Sequence, residues 1–69
     1  TVFPNPFNKE LKLSFLKETH VKVIDVYGRV LYNELVLEKV LKTGRWNSGI
    51  YFVQAGELNE GNLIKLIKN

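Results

Sequence analysis

One imidazole, His20, is the whole histidine complement of the chain, and cysteine is absent. That rules out a two-histidine metal motif, thiolate metal sites, disulfides and a cysteine nucleophile. His20 closes the polar break Lys17-Glu18-Thr19-His20, where an exposed strand-end role is the simpler reading. A serine triad would need Ser14 or Ser48 beside that histidine and an acid. Ser14 falls in the middle of an alternating strand pattern, and Ser48 precedes Gly49 without the pattern of a nucleophile elbow. The seven carboxylates are scattered, mostly near a Lys or Arg, as on a solvated surface. Gly44, Gly49, Gly56 and Gly61 are too dispersed to cradle a phosphate. The inventory argues against an enzyme, and no metal or cofactor is expected.

The elements that would have to position any site must fit into 69 residues, which is one small domain spanning 1–69. Ordering that many residues costs on the order of 100 kcal/mol of conformational entropy, so nearly every apolar side chain is needed in the core. With no disulfide to help, packing alone must hold the fold. The net charge of +3 is spread along the chain, +1 over residues 1–35 and +2 over 36–69. A nucleic-acid binder concentrates its charge on one face or arm; only the tail from Gly61 to Asn69, with Lys65 and Lys68, lacks neighbouring acids. Tyr27, Tyr32, Tyr51 and Phe52 are of the type that stacks bases, but no basic run flanks them, so no nucleic-acid partner is expected. No apolar stretch approaches the roughly 18 residues of a membrane-spanning helix, so membrane insertion is not expected either. The chain opens on a strand-and-turn signal, Thr1-Val2-Phe3-Pro4, rather than a basic-then-apolar leader, and reads as a module of a longer precursor.

Period-two alternation dominates. Leu11, Leu13 and Phe15 line one face of a strand opposite Lys12 and Ser14. After the polar break comes Val21-Lys22-Val23-Ile24-Asp25-Val26, whose apolar parity switches between Val23 and Ile24. The switch predicts burial on both faces or a bulge near the strand end. Asp25-Val26-Tyr27-Gly28 reads as a tight hairpin turn: the aspartate can accept backbone N–H bonds, and the glycine can take positive φ. Arg29-Val30-Leu31-Tyr32 returns as the partner strand. Residues 33–43 admit two readings on pattern alone. Leu37, Val40 and Leu41 have helical spacing between a capping Asn33 and a terminating Gly44, whereas the surrounding strand-turn rhythm makes the same stretch sheet. Ile50-Tyr51-Phe52-Val53 is strand-like, Gly56 to Gly61 is a polar turn, and Leu63 to Lys68 is a closing strand. Strands at this spacing indicate a small sandwich.

Four features exceed what strand formation requires. Phe3-Pro4-Asn5-Pro6-Phe7 holds two fixed φ angles around an asparagine and cannot be a mid-sheet strand; a rigid turn is its structural reading. Asp25 with Gly28-Arg29 is a hairpin turn. Trp46-Asn47-Ser48-Gly49-Ile50-Tyr51 resembles the corner of an immunoglobulin-like sandwich, in which the Tyr hydroxyl bonds to upstream backbone above a large apolar residue. Lys65 and Lys68 flank an apolar pair in the closing strand, where they serve as solubilising edge charge.

In this order, the four features resemble the type A C-terminal sorting domain of the type IX secretion system. That family opens with an aromatic-Pro-Asn-Pro segment, matched by Phe3-Pro4-Asn5-Pro6. It continues with an Asp-x-x-Gly-Arg turn, matched by Asp25 to Arg29. It then carries Leu-x-x-Gly-x-Tyr and a Lys-rich apolar closing strand, matched by Gly49-Ile50-Tyr51 and by Lys65-Leu66-Ile67-Lys68. Trp46 stands where the family has Leu and needs extra room. The resemblance covers essentially the whole chain and tips residues 33–43 to strand. It implies an all-β, antiparallel, immunoglobulin-like β-sandwich of about seven short strands. It also implies a non-catalytic signal recognised by the outer-membrane type IX machinery: a translocon, a shuttle protein and a sortase-like peptidase that cuts upstream. The cargo would cross the periplasm of a Gram-negative bacterium to the cell surface or medium. As recognition elements the resemblance implies Pro4, Asn5 and Pro6, Asp25, Gly28 and Arg29, Gly49 and Tyr51, and Lys65 and Lys68. For Gly28, Gly49 and Tyr51 a structural role is the stronger alternative. A spacer or binding module of an extracellular enzyme or adhesin is the competing reading. Carbohydrate binding is a third; it would require two or three of Tyr27, Tyr32, Tyr51 and Trp46 to lie coplanar on the surface, whereas Trp46 and Tyr51 are expected to be largely buried.

Overall fold

A computed structural model describes residues 2–56 and 63–69; the expected polar turn, apart from Gly56, lies outside the described residues. Every regular element in it is a strand: β1 (Val2–Phe3), β2 (Glu10–Asp25), β3 (Val30–Lys42), β4 (Gly49–Ala55) and β5 (Leu63–Lys68). All ladders between them are antiparallel, in the order β1-β2-β4-β5, with β3 on the other edge of β2. Residues 33–42 are strand, paired with β2 along most of their length. Helix propensity there is only a few tenths of a kcal/mol per residue, and cross-strand packing overrides it.

The expected seven short strands are five continuous ones, two of them long. The 16 residues of β2 would reach about 50 Å if straight, yet the longest dimension of the molecule is 29 Å. Both β2 and β3 therefore bend, and each serves two layers. The bend is visible in the ladder: pairing runs from Glu10↔Lys42 to Ser14↔Glu38, breaks, and resumes at Thr19↔Val36. Four residues of β2, Phe15 to Glu18, stand against Leu37 alone. This is where the sequence has its polar break, and the Thr19 hydroxyl donates to the Lys17 carbonyl (2.9 Å) across it. The first half of β2 pairs with β1 and the second half with β4.

Folding the sheet over itself brings the inward rows of both halves together. Leu11 and Leu13 from the first half join Val21 and Val23 from the second, with Phe7, Val36, Leu41, Tyr51, Val53 and Leu66 completing the core. A second irregularity falls where the apolar parity switches: Val23 pairs with Tyr32, but Ile24 pairs with Val30. Leu31 is the extra residue of this bulge, while the β4 side of β2 keeps its register through Asp25↔Tyr51. Alternation along β2 itself is unbroken, so Ile24 faces outward between the buried Val23 and Asp25. The joint between the N-terminal segment and the end of β3 is closed by Thr43, which is fully buried. Its N–H donates to the Lys9 carbonyl and its hydroxyl to the Asn8 carbonyl, both at 2.9 Å.

Candidate functional site

The Asp25 turn is a three-residue loop closed by the Asp25–Arg29 pair, whose backbone bond is 3.1 Å long. One Asp25 carboxylate oxygen accepts from the N–H groups of Tyr27 (2.9 Å) and Arg29 (3.0 Å). The other accepts from Arg29 Nε at 2.7 Å. Gly28, at φ +82°, takes the left-handed conformation that the loop requires, with nothing near enough to obstruct a side chain; backbone conformation selects glycine there. Arg29 lies over the Tyr27 ring at 5.7 Å, exposed, while its carboxylate partner is buried. Burial pushes the Asp25 carboxyl up, but the bonds from Arg29 and Tyr27 outweigh it and hold the group below its ordinary range.

A folded value below the unfolded one contributes stability above the unfolded pKa and loses it as pH falls through the folded pKa. Asp25→Asn is accordingly expected to melt below the native domain at pH 7. The two melting curves should converge as the buffer is taken into the acid range. A gap that persists unchanged at low pH would show that the carboxylate charge is not what holds the turn.

At the corner, the Tyr51 hydroxyl donates to the Asn47 carbonyl at 2.6 Å. Burial, followed by the Asp25 charge, pushes that hydroxyl's pKa up. Gly49 has φ +138° and open space around it, so again conformation rather than room selects glycine. Trp46 finds its extra volume by staying half-buried. It meets Tyr51 at 5.2 Å and the edge of Phe7 at 6.0 Å, and Phe7 meets Tyr51 at 5.8 Å. The coplanar surface of aromatics needed for carbohydrate binding does not form: Tyr51 is buried, Trp46 and Tyr32 are half-buried, and Tyr27 is exposed on its turn.

The N-terminal motif acts on the closing strand. Asn5 accepts from the Ile67 N–H (3.0 Å) and donates to the Lys65 carbonyl (3.2 Å), so its side-chain amide stands in for a neighbouring strand. Two residues on, the Phe7 N–H donates to the Ile67 carbonyl and the Asn69 N–H to the Phe7 carbonyl, both at 2.9 Å. Pro4 and Pro6 are exposed on either side and donate nothing, which leaves the asparagine side chain to make the polar contacts. Together these contacts cover most of one end of the β5 edge, which would otherwise be an open template for pairing. The two lysines of β5 part company: Lys65 is exposed, but Lys68 lies on the inward row with Leu66 and is buried, its Nζ donating to the Asn69 carbonyl at 3.0 Å. As edge charge, only Lys65 is available.

Four motifs as much as 62 residues apart thus lie side by side at one end of the sheet. Asp25 pairs with Tyr51, Tyr51 with Leu66, Gly49 with Lys68, and Asn5 and Phe7 cover the outer side of β5. Phe7 carries more of this assembly than its place at the end of a turn suggested; the signal was an aromatic immediately after a segment that cannot enter a sheet. His20, exposed, bonds the Asn33 side chain. No group of three or more potential metal ligands occurs among the described residues.

No curated protein and no solved structure matches the chain. The family model described as the secretion system C-terminal sorting domain matches residues 1–69. The match spans the stretch that holds all four motifs, and the spacer reading has nothing comparable behind it. The chain belongs to the family of type IX secretion C-terminal sorting domains, whose role is to mark an exported protein for the type IX machinery and so for the cell surface or beyond.

Proposed function

We propose that the chain is read as a folded surface by the outer-membrane translocon and its shuttle protein, after its cargo has crossed the periplasm, and that a sortase-like peptidase cuts upstream of it. The domain itself performs no chemistry; it presents a shape. The observation that carries this reading is the convergence of the four motifs on adjacent strands, because a partner can then survey all of them in a single contact. Within that surface the roles divide. Asp25, Gly28, Gly49, Tyr51 and Lys68 shape the backbone or are buried against it, and act by holding the surface. Pro4, Asn5, Pro6, Arg29 and Lys65 are exposed and available to a partner.

A fluorescent protein with a periplasmic leader, fused to residues 1–69, tests the reading in a bacterium that carries this secretion system. The full fusion is expected at the surface or in the medium, while a version stopping after Val53 stays in the periplasm. Periplasmic retention of the full fusion, with the domain folded, would reject the proposal.

A further inference from the structure

Directly paired residues of an antiparallel ladder share a face, so the registers define what the β3-β2-β4-β5 layer shows to its outside. One row reads Val30, Ile24, Phe52, Lys65, and the next reads Asn33, Lys22, Gln54, Leu63. Ile50 and Ile67 form a shorter row toward the motif end. Ile50, Ile67 and Val30 are 38%, 45% and 50% exposed, and Ile24 and Phe52 are half-buried between them. The result is an apolar floor with Lys22 and Lys65 standing on it. Among the described residues, no Asp or Glu belongs to these rows: Asp25 and Glu34 fall on the opposite side, Glu34 in line with Val21.

The outer face of the other layer is different. Glu10 pairs with Lys42 at 2.5 Å, Glu38 stands opposite Ser14, and Lys12 stands beside Phe3. Both signs are present there, as on an ordinary solvated surface.

We infer that the outward face of the β3-β2-β4-β5 layer, centred on Ile24, Phe52, Ile50 and Ile67 and flanked by Lys22 and Lys65, is a docking surface for a segment of another protein that combines apolar and acidic side chains. Charge complementarity selects this occupant: among the described residues these lysines have no acid on their face, so they attract carboxylates and repel basic partners, and the apolar floor supplies the area to be buried. A second copy docked on the same face would set lysines against lysines. The inference rests on the reading of the domain as a recognised signal, and adds which face is read and the chemistry of its reader.

Three export fusions separate the possibilities: native, Lys22→Glu/Lys65→Glu, and Lys12→Glu/Lys17→Glu, the last pair exposed and away from this face. The two variants change the net charge equally, and both must melt as the native domain does. Export of the first variant is expected to fall by about ten-fold or more, as like-charge repulsion against an acidic partner requires, while the second stays within about two-fold. A photoreactive amino acid at position 67 should crosslink to a protein segment bearing Asp or Glu among apolar residues, and one at position 12 should not. Equal export by all three fusions overturns the inference and leaves the secretion reading intact, and so does an equal loss in both variants. A crosslink to a second copy, or to a segment without acids, overturns it as well. So does Ile67-dependent binding of the chain to phosphatidylglycerol vesicles, which would make the occupant a membrane. Retention of the native fusion rejects the secretion reading, and the inference falls with it.

Discussion

Phe7→Ala is expected to leave the domain largely unfolded. Phe7 has no exposure to solvent, and its ring is the meeting point of the Trp46 and Tyr51 rings. Truncating a buried phenylalanine costs about 3–5 kcal/mol through lost burial and the cavity left behind. A core in a chain of this size supplies only about that much in total. The N-terminal segment reaches β5 through the Phe7 backbone on one side and Asn5 on the other, so losing the ring also loosens the cover over the β5 edge. Urea titration followed by far-UV circular dichroism measures the effect. Phe7→Leu should recover most of the stability, and Phe3→Ala, at the exposed residue of β1, should cost far less. A Phe7→Ala midpoint close to the native one would show that the aromatic cluster does not hold the N-terminal segment.

The second large effect lies in β5, where neighbouring residues should separate folding from recognition. Leu66 is fully buried, and Leu66→Ala is expected to cost about 2–5 kcal/mol. Lys65, one residue earlier and on the opposite face, is exposed; Lys65→Ala should change stability by no more than about 0.5 kcal/mol. In the export assay both are expected to fail, the first because the domain no longer folds and the second while its melting curve is unchanged. Normal export of a folded Lys65→Ala fusion would remove Lys65 from the recognised surface. A native-like melt for Leu66→Ala would mean that β5 is not part of the cooperative unit.

The Asp25 turn was legible because turn chemistry is local: an acceptor at the first position and a glycine able to take positive φ specify the loop within five residues. The Tyr51 corner was legible for the same reason, its hydroxyl reaching a carbonyl only four residues back. The bulge at Val23–Ile24 announced itself as a switch of parity, though not which neighbour would absorb it. Residues 33–43 were ambiguous because Leu, Glu and Lys suit either element, and the decision came from β2, whose first and second halves both pair with β3. Lys68 reads as an edge charge in sequence because only its neighbours along the strand are visible there; the inward row it occupies with Leu66 is set by pairing with β4.

Outside residues 33–43, local sequence sufficed for most of what the elements required: where the chain extends, where it turns, and which positions demand glycine. These depend on interactions within a few residues, so they survive translation from sequence to structure almost unchanged. The order of motifs was enough to mark the family. Partnership was a matter for the tertiary fold. That Asn5 would serve as a substitute strand for β5, that Phe7 would join Trp46 and Tyr51, and that Lys22 and Lys65 would share one outward face all follow from contacts between residues far apart in the chain. Such contacts depend on how β2 and β3 bend across two layers. The polar break marks where β2 can yield, but the bend itself is set by the burial gained when the two inward rows meet.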